Sequence, residues 1–161
     1  MKILSMKTTI FLGAMLSLLV CLMFTGCSNS ETNSTSRGLT DFAHIQEEYL
    51  ATIDSLDWPD GVELPKKLEN EDTGASFQVG YGETRASNLW EYSWMKEWLD
   101  TYNTDPERAE KALEELEKAF DMPYMGKDRC DDATRNYLRE NIDKAKLGDP
   151  SGFRECIDVN Y

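Results

Sequence analysis

His44 is the single histidine of the chain, so any Ser-His or Cys-His arrangement for nucleophilic catalysis would have to use it. Around a helix of 3.6 residues per turn it falls about 200° from Phe42, on the polar side, which predicts a solvated ring. The four cysteines stand at 21, 27, 130 and 156, without the paired Cys/His spacing of a structural zinc site. The acidic stretches Glu69-Glu71-Asp72 and Asp128-Asp131-Asp132 lack the glycine and distal glutamate of a calcium loop, and read as solvated charge. Gly80-Tyr81-Gly82-Glu83 lacks the lysine of a phosphate loop and reads as a turn before a helix. Thirty acidic residues supply many carboxylate pairs of the kind glycoside hydrolysis uses, but their separation in space is not written in the sequence. No catalytic set, metal site or cofactor is therefore expected.

The residues with the most to bind are Trp90, Trp94 and Trp98, which recur every four positions. At helical spacing in a small domain they belong to the core. As amphipathic anchors they could instead line a groove for a sugar, a peptide or a partner helix. The two readings separate on burial.

The elements that must position these groups are helical. Phe42, Ile45, Tyr49, Ile53 and Leu56 share one face of a helix over Leu39 to Leu56, with Thr40-Asp41 to cap it. Asp57-Trp58-Pro59-Asp60-Gly61 breaks it, and the chain is expected to stay irregular to about Gly82. Phe77, Val79 and Tyr81 alternate there as in a short strand without an evident partner. Thr84 to Asn103 predicts the central helix, apolar over about 200° of its surface. Thr104-Asp105-Pro106-Glu107 starts a third helix carrying Ala109, Ala112, Leu113, Leu116, Ala119 and Phe120 on one stripe, which ends before Pro123. Asp131 or Asp132 caps a fourth to about Leu147, with Tyr137, Leu138, Ile142 and Ala145 inward, Gly148 as the stop and a short tail after it. The fold class is all-α: a small four-helix bundle-like domain with one long irregular connection.

Ahead of it, Lys2 and Lys7 precede an apolar stretch from Ile10 to Phe24, and no acidic residue occurs before Glu31. That is the pattern of a secretory signal. Phe24-Thr25-Gly26-Cys27 resembles the lipobox of bacterial lipoproteins, in which the cysteine receives a diacylglyceryl group and becomes the new N-terminus. The resemblance implies a signal peptide over residues 1–26, a lipid-anchored flexible spacer over 27–38 and a helical domain over 39–161. An uncleaved membrane helix would leave the same topology, since the lysines hold the cytoplasmic side either way. Two acyl chains exceed the marginal hold of a single one.

Cleavage before Cys27 would remove two lysines and no acid, moving the net charge from −13 to −15. Nucleic acid and anionic headgroups are poor partners for such a surface. It would also discard Cys21 and consume Cys27 in lipid, leaving Cys130 and Cys156 as one pair. Outside the cytoplasm these are expected to form a disulfide, closing a loop of about 26 residues and stabilising by about 3.5 kcal/mol on the chain-entropy account.

From Gln78-Val79-Gly80-Tyr81-Gly82-Glu83 through Trp90, Trp94 and Trp98 to Gly148-Asp149-Pro150-Ser151-Gly152 and Cys156, the domain is similar to a group of uncharacterised envelope proteins of actinobacteria. That resemblance implies a bacterial surface or secreted helical domain and no particular activity. The expected function is a noncatalytic, lipid-anchored protein outside the cytoplasm that binds or supports an envelope protein or polymer. A wall-polymer hydrolase using two carboxylates and a ligand-capture lipoprotein are the alternatives.

Overall fold

The computed structural model describes residues 38–161. The segment expected to be a signal peptide, Cys27 and nearly all of the expected spacer lie outside the described residues. Within them the fold is helical: α1 (Phe42–Ser55), α2 (Tyr81–Thr101), α3 (Pro106–Lys118), α4 (Asp132–Lys146) and α5 (Ser151–Asn160). No helix among the described residues is long and apolar enough to cross a membrane.

Three of the helix starts have a local cause. The Asp41 carboxylate accepts from the His44 N–H, Asp105 from Arg108 N–H and Asp131 from Thr134 N–H, so three short acidic side chains each satisfy an orphan amide of the first turn. Helix α3 is thus capped by Asp105, with Pro106 in its first turn. Helix α2 is capped from another element. Its Gly80 N–H donates to one Glu48 carboxylate oxygen at 2.7 Å and its Gly82 N–H to the other at 3.1 Å. A negative charge on α1 thereby sits at the positive end of the central helix.

Two findings extend the sequence reading. The alternating segment does have a partner: β1 (Leu39–Thr40) pairs antiparallel with β2 (Phe77–Gln78), so the irregular connection returns to the start of the domain. The expected C-terminal tail is instead α5, a fifth helix whose Phe153 and Cys156 are buried and whose Ile157 packs against the core. Pro150 immediately before it and Gly152 in its first turn read as a turn in sequence, although a proline at a helix start costs nothing there.

The core forms two clusters. Trp90, Trp94, Met95 and Trp98 of α2 meet Ala112 and Leu116 of α3, Leu138 and Ile142 of α4 and Phe153 of α5. Ile45, Tyr49 and Ile53 of α1 meet Ala86 of α2 and Leu68 of the long connection. Trp58 packs against both clusters and donates its indole N–H to the Ile53 carbonyl at 2.9 Å.

Candidate functional site

The tryptophans are core. Trp90, Trp94 and Trp98 are 1%, 1% and 2% exposed, which overturns their reading as a binding surface. The cause is that α2 is covered by α1, α3 and α5 at once, so that of the three only Trp98 still borders a groove, beside Tyr102. The indole N–H groups of Trp90 and Trp94 both donate to the Asp57 carbonyl, at 2.7 and 3.2 Å, and fasten the start of the long connection to the central helix. The Trp98 ring stacks on Tyr102 at a centroid distance of 4.6 Å and meets Phe153 edge-on.

The other sequence candidates separate rather than assemble. His44 is half exposed, with Nε2 3.2 Å from Glu48, in keeping with a solvated ring. Glu71 accepts from the Tyr81 hydroxyl at 2.9 Å and pairs with Arg85, while Asp131 caps α4 and Asp132 pairs with Arg135. Among the described residues no group of three or more His, Cys, Asp or Glu side chains is gathered to hold a metal ion.

Cys130 and Cys156 are free thiols, a correction to the expected disulfide. Cys130 lies against the Met125 sulfur ahead of α4, whereas Cys156 points from α5 into the core, with the Asn160 amide beside it. The staple was expected for an unstructured tail, and α5 is held by burial instead. Burial raises the Cys156 thiol to about 11, with Glu91 pushing the same way, and burial also raises Cys130. Neither has the thiolate character of a nucleophilic cysteine.

The buried carboxyl that adds to that shift was not singled out in the sequence. Glu91 sits on α2 among the aromatics, 8% exposed, and accepts from the Tyr124 hydroxyl at 2.8 Å. Burial pushes it up to about 7, against the smaller lowering effect of that hydrogen bond. Between its ordinary 4.5 and about 7 the folded protein holds a proton that the unfolded chain has released. The associated stability is therefore complete below pH 4.5 and is lost as pH rises to about 7, by about 3 kcal/mol. The urea midpoint of Glu91→Gln should lack this fall. Subtracting the two proteins' profiles from pH 4 to pH 8 isolates Glu91 from the surface carboxylates, and a constant difference would contradict the assignment.

Above this layer the surface opens into a cleft of about 800 Å³ between the first turns of α2, the first turns of α4 and the end of α5. Five large apolar residues are exposed among the described ones, and three of them, Tyr137, Val159 and Tyr161, line this cleft. Arg85, Asn88, Thr134, Glu155 and Asn160 supply polar groups between them. Tyr161 is fixed in place. Its ring lies 4.8 Å from that of Tyr92, and its hydroxyl donates to the Asn88 carbonyl at 2.9 Å. Cys156 also lines the cleft, linking it to the Glu91 layer below.

Other hollows offer less. A cleft of about 720 Å³ along α2 contains Glu97 and Asp100, but Arg108 holds Glu97 through two bonds of 2.7 and 2.9 Å, and Lys96 holds Asp100 at 2.6 Å. A groove of about 500 Å³ between α2, α3 and the end of α4 is bordered by Glu110, Glu114 and Glu117.

No family model, curated protein or solved structure matches this chain.

Proposed function

We propose that the chain is a lipid-anchored envelope protein, facing away from the cytoplasm, whose helical domain binds a neighbouring envelope component without chemical turnover. The carrying observation is the tyrosine-lined cleft. A small domain that buries Trp90, Trp94 and Trp98 nearly completely leaves Tyr137, Val159 and Tyr161 uncovered at one place, among side chains able to donate and accept. Concave sites with an apolar lining and a few convergent polar groups are where ligands bind. The lipobox at Cys27 and the polar Ser28 to Arg37 spacer support the setting, giving the domain a tether and reach. No observation favours the hydrolase alternative; in the cleft along α2, Glu97 and Asp100 are held by Arg108 and Lys96.

The full chain made in a bacterial host and recovered from its membranes should carry a lipid adduct on Cys27 by intact mass. Cys27→Ser should lack that adduct. Wild-type protein with unmodified Cys27 would contradict the tethered reading.

A further inference from the structure

The tyrosine cleft has a readable ligand chemistry, and it rests on the binding role proposed above. We infer that it is a site for a neutral saccharide, a short run of sugar rings seated between Tyr137 and Tyr161.

Charge narrows the class first. The ionic side chains of the lining are Arg85 and Glu155, one of each sign, and Arg85 is already paired with Glu71 at 3.3 Å. A phosphate or sulfate would meet no surplus of positive charge and would lie on a protein of net charge −13. A cation would meet Arg85. A purely apolar ligand would strand the Asn88 amide and the Thr134 hydroxyl, at the cost of desolvating groups it cannot pair with. What remains is a neutral ligand rich in donors and acceptors that also carries an apolar face.

Sugar rings have that construction, with C–H groups on one side and hydroxyls around the edge. Aromatic rings suit the first, having an apolar face and few rotatable bonds to immobilise. Tyr137 and Tyr161 are 38% and 54% exposed, so each retains open ring surface. Tyr161 is set for this in advance by Tyr92 against its ring and by the hydroxyl bond to Asn88. Asparagine amides, a guanidinium and a carboxylate each present two polar atoms in a plane, which suits neighbouring hydroxyls. The volume of about 800 Å³ lies within the usual range for small-ligand sites.

The full lipidated chain in zwitterionic micelles, which contain no sugar headgroup, should be titrated with tri-N-acetylchitotriose, cellotriose and maltotriose by saturation-transfer NMR. Saturable binding of at least one is expected. Tyr137→Ala and Tyr161→Leu should each weaken it about tenfold, and Tyr137→Phe should keep it. Tyr137 lies at the edge of the α4 stripe and outside the buried core, so its replacement tests the site with little disturbance to the fold. Unchanged binding in Tyr137→Ala, or none of the three sugars binding, overturns the saccharide assignment. A photoreactive residue at Val159 in intact cells separates the two levels of the account. Capture of a protein there would contradict the saccharide and retain the binding role; no capture together with no sugar binding would defeat both.

Discussion

Replacing Trp90 with alanine is expected to destabilise the protein by about 3–5 kcal/mol, the range for deleting a fully buried large aromatic side chain. The residue is 1% exposed and lies where α2 meets the rest of the larger core cluster. Its loss also removes one of the two indole donors on the Asp57 carbonyl, leaving Trp94 with the longer bond of 3.2 Å. Trp90→Phe separates the contributions, keeping most of the apolar volume and losing the hydrogen bond for about 1 kcal/mol beyond any repacking. Chemical unfolding of both variants checks this. A loss below about 1 kcal/mol for Trp90→Ala would mean that the tryptophan face is not the core and would reopen the groove reading.

Gly82→Ala is expected to cost about 3 kcal/mol or more, although alanine is normally the better helix former. A Cβ at position 82 would stand 1.9 Å from the Ile45 carbonyl oxygen and 2.9 Å from the Tyr49 backbone nitrogen. These are backbone atoms of α1, so no side-chain rotation relieves the overlap and the two helices must part. Parting them draws the Glu48 carboxylate away from the amides of Gly80 and Gly82, uncapping the central helix as well. Gly74→Ala in the exposed connection is the comparison, since its Cβ would meet only an Asp72 side-chain atom at 3.4 Å. Equal stability of the two variants would show that α1 and α2 do not approach so closely.

These residues also show how far the sequence could be read. The periodicity of Ile45, Tyr49 and Ile53, the aromatic spacing of α2 and the Asp caps announced four helices close to their observed bounds, because each signal is local. Helix α5 escaped because Pro150 and Gly152 imitate a turn, and its burial depends on α2 and α4 being present to receive Phe153. Tyr137 was expected inside as part of the α4 stripe, yet it lies at the stripe's edge and is 38% exposed.

The cleft was illegible for a related reason. It joins residues near 85, 134 and 160, and nothing in those separate stretches records that they meet. Glu91 gave no signal either, since α2 also carries Glu83 and Glu97, and one more glutamate looks like an ordinary surface residue until its neighbours enclose it. The tryptophans attracted attention by type, whereas the exposed tyrosines, scattered in sequence, hold the open aromatic surface.

The proposed binding role is tested most directly by whether the tyrosine cleft is occupied in intact cells. Hydroxyl-radical footprinting of the full chain, in intact cells and after purification, reads that occupancy residue by residue. Tyr137 and Tyr161 should be protected in cells and modified after purification, with Trp90 and Trp94 protected in both. Equal modification of the two tyrosines in cells and in isolation would contradict the account.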